Sequence, residues 1–465
     1  LAGDAITTGF ANVAIGYQAL SSDDVGTNTV AIGQNALFAQ NFSTATAAHN
    51  VAVGQSAGAS VTTGIRNTLI GALAGDALTD ADFNVAIGEG ALSADTLGSK
   101  SIAIGVNALN EQNFTTSTNA LNVAIGHLAG AAVTTAVQNT LIGALSGDAL
   151  TQGARNTTLG YLSLTSDTMG QYAVAIGYNA LATQNFTTAT NNYNIGIGYA
   201  AGEAVTTGFQ NTLVGGLAGD ALTDADFNTV LGYAALTSDT LGSSSVAIGR
   251  HALLSQNFTT ATNTYNTAVG ESAGQAVTTG TDNTFVGGLC GDGTDDGGNN
   301  TAMGAAALSA NCGSFNTAMG AAALNVCTGA DNTAVGYAAG FQVTSGTNNL
   351  ALGHDALRSG SPGGPASTDN NVIGLGDENI ASLHCQVALT VSSDQRDKTD
   401  FVDLDLGLDF VKGLEPVTYY WDKRAKYLNR NNEDGTPNED YDLDTATPDG
   451  THKEDWMDVG FKAQS

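Results

Sequence analysis

Four phenylalanines recur in near-identical polar settings, 72 residues apart. The segments read Gln40-Asn41-Phe42-Ser43-Thr44, Gln112-Asn113-Phe114-Thr115-Thr116, Gln184-Asn185-Phe186-Thr187-Thr188 and Gln256-Asn257-Phe258-Thr259-Thr260. An aromatic ring among amides and hydroxyls suits contact with carbohydrate, so Phe42, Phe114, Phe186 and Phe258 are the receptor-binding candidates. The competing reading is that each ring tucks back to anchor its own loop, or wedges between chains. A second column carries acids at Asp23, Asp95, Asp167 and Asp239. One Asp-Gly run, Gly291-Asp292-Gly293-Thr294-Asp295-Asp296-Gly297, resembles a calcium loop, with Asp292, Asp295 and Asp296 as oxygen donors. It lacks the full EF-hand or nonapeptide pattern, so a solvated turn and no cofactor are expected. No catalytic triad, P-loop or Rossmann glycine pattern occurs. The six histidines are scattered, and the four cysteines, Cys290, Cys312, Cys327 and Cys385, have no zinc spacing. Cys312 and Cys327 fall at near-equivalent repeat positions; buried small side chains are expected there, with a stacking disulfide as the alternative.

A repeat must position these residues. The phrase Asn-x-Ala-Ile-Gly, indexed by its glycine, recurs at Gly16, Gly33, Gly54, Gly71 and Gly88 and continues to Gly287. The spacings run 17, 21, 17, 17 and begin again, so Gly16, Gly88, Gly160, Gly232 and Gly304 stand one 72-residue block apart. Looser copies follow at Gly320, Gly336, Gly353 and Gly374. So short a period, continued so long, means a solenoid. The expected fold is all-β: a parallel β-solenoid (β-roll or β-helix) of about 17-residue coils over 1–358, forming a homotrimeric fibre. Segment 359–392 reads as a hinge with a terminal strand, and 393–465 as a small α+β module.

Within a coil, the residue before the glycine is Ile, Val, Leu or Met, as in Ile15, Ile32 and Val53. Two positions earlier stands Val, Thr or Ile. These share one face of a short strand, and Ala and Gly occupy the other. Neither face is polar, so one face fills the coil and the other packs against something else, most simply a sister chain. Alanine comes three residues after the glycine, followed by Leu or Gly in the order Leu20, Leu37, Gly58, Gly75, a large-and-small alternation suited to close packing. Asparagine recurs four before the glycine, at Asn12, Asn50, Asn67 and Asn84, and is expected to form a ladder bonding each coil to the next. The long coils fall every fourth coil, so their Phe loops should project in a column.

Charge narrows the partners. The chain carries a net charge of −30, and residues 1–392 hold only five basic groups, Arg66, Lys100, Arg155, Arg250 and Arg358. Such a surface repels phosphate backbones, which excludes nucleic acid, and it repels anionic membranes. No apolar run is long enough for membrane insertion. The chain opens at Leu1 in repeat phase and without Met, which reads as a fragment.

The chemistry changes after Ser359-Gly360-Ser361-Pro362-Gly363-Gly364-Pro365. Charge becomes dense, and both tryptophans, Trp421 and Trp456, appear. Three ordered motifs follow: Ser393-Asp394-Gln395-Arg396-Asp397-Lys398, then Leu414-Glu415-Pro416-Val417-Thr418-Tyr419-Tyr420-Trp421, then Val459-Gly460-Phe461-Lys462-Ala463-Gln464. Together they resemble the intramolecular chaperone domain at the C-termini of endosialidases and many phage tail fibres and tailspikes. The resemblance implies a trimeric, self-cleaving folding aid, of which 393–465 is the N-terminal part. It also implies a Ser/Lys dyad: Ser393 as nucleophile and Lys398 as its base, cutting just before the serine. Asp397 stands where that family usually has an apolar residue. More weakly, Asn332–Gly340 resembles the head repeats of trimeric autotransporter adhesins, which are β-rolls.

The resemblance implies a virion protein: a phage tail fibre that attaches to a host surface. Its expected partners are itself as a homotrimer, a host cell-surface glycan or protein, and other tail or baseplate proteins. The alternative is a trimeric bacterial surface adhesin or a fibre of a phage-derived injection apparatus. No turnover enzyme is expected in the solenoid, because the regular repeats carry no irregular catalytic insertion.

Overall fold

A computed structural model describes residues 1–384, 416–420, 447–453 and 457–461. The chain divides into two units, Leu1–Leu383 and His384–Ser465.

The first unit is a parallel β-solenoid. One sheet of 21 three-residue strands runs from Val13–Ile15 to Ile373–Leu375. Each strand lies in register on its counterpart one coil later: Val13 opposite Val30 and Ile15 opposite Ile32. The long coils keep this register, with Val30 opposite Val51, because the extra residues leave the sheet altogether. No helix occurs among the described residues.

The end of the stack differs from expectation in two respects. Gly374 lies opposite Ala351, so it takes the alanine place, and Gly376 follows Leu375 as the corner glycine. The proline-containing segment 359–369 is therefore a loop between two paired strands, and the coil stack continues past residue 358 to its last rung.

Why a coil closes this way is visible at its corner. Gly16 has φ 126°, and a Cβ there would sit 2.5 Å from the Gly33 carbonyl oxygen of the next coil. Only glycine allows the backbones to stack that closely. The flanking turns also use left-handed residues that are not glycine: Ala11 before the strand, then Gln18 and Leu20 after the corner, at φ 58°, 57° and 51°. The pattern recurs along the stack, giving 51 non-glycine residues with positive φ.

Strand polarity is the reverse of the usual arrangement. The small middle residue points inward: Ala31, Ala52 and Ala86 are fully buried. The large flanking residues point outward, and Ile15 and Leu231 remain 58% and 48% exposed. The interior is narrow, and where a turn carries an Ala-Leu pair, such as Ala19-Leu20 and Ala36-Leu37, that pair fills it and the strand residue is small, as at Ala14 and Ala31.

Where the turn leucine is replaced by glycine, the strand compensates. Leu69 takes the alanine place and is fully buried. A Cβ on Gly58 or Gly75 would come within 2.6 or 2.9 Å of its methyl groups. Leu141, Leu213 and Phe285 fill the same space one block apart, against Gly130, Gly202 and Gly274.

The asparagines form the expected ladder, and their bonds go to backbone. Asn67 Oδ1 accepts from the Asn84 backbone N–H (2.9 Å), and its Nδ2 donates to the Ala81 carbonyl (2.7 Å). Each side chain thus joins two points of the following coil. The rungs Asn50, Asn67 and Asn84 are fully buried. Buried amides are stable here because both ends are satisfied.

In the second unit, Pro416–Tyr420 pairs antiparallel with Met457–Phe461, Thr418 opposite Val459. These strands carry Pro416–Tyr420 of the second motif and the opening residues Val459, Gly460 and Phe461 of the third. The helical part of the expected α+β module lies outside the described residues.

Candidate functional site

The four long coils interrupt the asparagine ladder. Thr29, Ser101, Ala173 and Ser245 stand where the asparagine belongs. In each case the glutamine that opens the inserted loop fills the gap. Gln112 Nε2 donates to Asp95 Oδ2 (2.6 Å) and to the Ser101 hydroxyl (3.1 Å), and its Oε1 accepts from Asn122 Nδ2 (2.8 Å). Gln40 and Gln256 repeat this with Asp23 and Asn50, and with Asp239 and Asn266. Gln184 joins Asp167 to Asn194, with Ala173 offering no hydroxyl. The signal in the sequence was the coincidence of a missing asparagine with an insertion, every fourth coil.

The acid column is therefore internal. Asp95, Asp167 and Asp239 are fully buried and Asp23 is 1% exposed. Asp95 Oδ1 accepts the backbone N–H groups of Gly98 (3.0 Å) and Phe114 (3.1 Å), which fixes the start of the loop. Asp167 and Asp239 make the same bonds to Phe186 and Phe258. Burial pushes the Asp95 and Asp167 carboxyls above their ordinary range, against the opposing pull of the glutamine and backbone donors.

The phenylalanines follow their backbone inward. Phe42, Phe114, Phe186 and Phe258 are 5, 6, 6 and 7% exposed. The rings anchor the loops, and what each loop shows to solvent is its polar tip: Asn113, Thr115, Thr116 and Ser117 in the second one. Three of the loops are pinned again on their return, where Thr118–Asn119, Thr190–Asn191 and Thr262–Asn263 pair with short strands of the preceding coil.

Among the described residues no three His, Cys, Asp or Glu side chains form a group able to hold an ion. Asp295 accepts a hydrogen bond from Thr278, and Asp292 Oδ1 is buried without a partner. Cys290, Cys312 and Cys327 are buried and free, so Cys312 and Cys327 form no stacking disulfide. Burial pushes the Cys290 and Cys312 thiols up to about 12 and about 11, which makes them unreactive. Ser393, Lys398 and Asp397 lie outside the described residues, as does Cys385.

Residues 393–464 match the family model described as chaperone of endosialidase. The match begins at Ser393 and spans all three C-terminal motifs. No curated protein and no solved structure matches the chain. A parallel β-solenoid of 21 rungs, ending in a segment that matches the chaperone of endosialidase, fits a phage tail fibre with an endosialidase-type chaperone.

Proposed function

We propose that this chain is the β-solenoid part of a phage tail fibre or tailspike, carried in the virion, that assembles as a homotrimer and attaches to a host surface. The chaperone match on a long solenoid carries this reading. The outward strand face supports the trimer. All 21 residues before a corner glycine are Ile, Val, Leu or Met, which makes an unbroken apolar stripe along the first unit. Stripes of that extent are rare on monomers, and copies related by a threefold axis would cover them. The loop tips are then the parts left facing outward for host contact. No helix among the described residues is long and apolar enough to cross a membrane.

Maturation completes the proposal. Ser393 Oγ attacks the carbonyl carbon of Ser392 while Lys398 takes the hydroxyl proton. The 392–393 amide breaks, its nitrogen leaves as the amine, and water hydrolyses the resulting ester. A carboxylate at Asp397 favours the charged form of Lys398 and so slows this step. The test is a denaturing gel of wild type beside Ser393→Ala and Lys398→Ala, with native mass spectrometry of each. A shortened wild-type chain, uncut variants and trimers throughout are expected. A monomeric rod would overturn the assembly, and an uncut wild type the self-cleavage.

A further inference from the structure

In a chain this repetitive, the informative side chains are those that break the pattern. One departure lies beside a groove. In the next two blocks an acid five residues after the corner glycine is closed off by a threonine one coil on: Thr165 donates to Asp148, and Thr237 donates to Asp220. In the first of these positions Asp76 has Ser93 as its counterpart, and Ser93 donates instead to Asn110 Oδ1 (3.1 Å). Asp76 Oδ1 is left without a partner just beneath the surface. Ser93 stands where the next two blocks carry Thr165 and Thr237, and Asn110, matched there by Ala182 and Leu254, accepts its hydroxyl.

Around this gap lies a groove of about 540 Å³, lined by Leu73, Asp76, Ser93, Asn110, Glu111 and Asn113, among others. That volume falls within the roughly 300–1,000 Å³ of small-ligand sites. None of the lining residues belongs to a strand. Its chemistry is specific. Asp76 and Glu111 offer carboxylates, Asn110 and Asn113 offer amides, and Leu73 is a 44% exposed apolar platform. Carboxylates and amides pair with adjacent hydroxyls, and an aliphatic platform takes the C–H face of a sugar ring. With two acids and no basic residue in the lining, acidic sugars are repelled.

We propose that this groove binds a neutral glycan, with the Asp76 carboxylate accepting a sugar hydroxyl once it rotates toward the groove. The proposal rests on the reading of the chain as a host-contacting fibre and names the class of surface it contacts. Desolvation of Asp76, which raises its carboxyl, fits a group held short of partners.

The test uses the full chain as assembled, on an array of neutral hexose and N-acetylhexosamine oligosaccharides beside their sialylated counterparts. Wild type should bind at least one neutral member and none of the sialylated ones. The double variant Ser93→Thr/Asn110→Ala rebuilds the closure used by Asp148 and Asp220, so it should fold and assemble normally yet lose tenfold or more in binding. Glu111→Gln should lose less. Binding unchanged in the double variant, binding confined to sialylated members, or no binding by wild type would overturn the groove. Host adsorption measured in parallel separates the two claims. A fibre that adsorbs without using the groove sinks this proposal alone, whereas a fibre that never adsorbs sinks the attachment reading.

Discussion

The two outward surfaces of these coils follow opposite rules. On the sheet face the residue before the corner glycine is apolar in all 21 rungs, with no exception. On the side that follows the turn, equivalent positions differ from block to block: Asn110 becomes Ala182 and then Leu254, and Glu111 becomes Thr183 and then Ser255. Uniformity suits a surface that must be covered by something equally uniform, and copies of the same chain meet that demand. Variation suits a surface that meets different partners at different heights.

The largest effect should come from breaking the uniform face. Ile104→Asp with Ile125→Asp places two charges in adjacent rungs of the stripe, and these cannot be desolvated against a neighbouring chain. Light scattering should show loss of the proposed trimer, while Glu111→Lys on the other surface leaves the mass unchanged. Equal behaviour of the two variants would erase the distinction. Next in size is the interior that both surfaces share. Leu69→Ala should cost about 2–5 kcal/mol, as for buried leucines generally. Adding Gly58→Ala should return part of that, because its Cβ would occupy the space 2.6 Å from the lost methyl. Additive losses in thermal unfolding would show that the two positions do not share one space.

A smaller effect is expected at the ladder gap. Gln184→Ala leaves Asn194 and Asp167 short of a partner inside the stack and should cost about 1–3 kcal/mol. The change should appear as hydrogen-exchange deprotection confined to that loop. Smallest is the pH dependence. The carboxyls of Asp95 and Asp167 are raised by burial, so the folded chain takes up their protons at higher pH than the unfolded chain does. Stability should therefore rise as the pH falls from neutral through the raised values, and the gain is complete below the unfolded carboxylate range near ~4. The lessened net negative charge acts in the same direction. Asp95→Asn with Asp167→Asn should flatten the slope of melting temperature against pH.

Much of this was legible in the sequence, and what was not failed for physical reasons. The period, the corner glycines and the asparagine rungs follow from spacing alone, because each coil needs the same turn and the same cross-link. Strand alternation separates two faces but cannot say which is inside when both are apolar. That Ala31 is buried and Ile15 exposed depends on the width of the coil, which Leu20 and Leu37 determine from another part of it. Asp95 read as one of a column of acids, and Phe114 as either a receptor contact or the anchor of its own loop, because loop aromatics serve both ways. Their burial follows from Gln112, whose role emerges only when the missing asparagine at Ser101 is set beside the insertion.

The left-handed turns have a kinetic consequence. Each residue such as Gln18 or Leu20 holds a conformation that costs an isolated L-residue roughly 1–2 kcal/mol. A single coil cannot keep that path alone, and stacking on a formed neighbour supplies the compensation. Growth from an ordered rung is then downhill, while starting a first rung is steeply uphill. Such a chain is limited by initiation, and it gains most from a template at one end that holds the opening rungs together. Under the proposed function, the segment that matches the chaperone of endosialidase would supply that template, and its removal would deprive the unfolded chain of its starting point while leaving the finished stack intact.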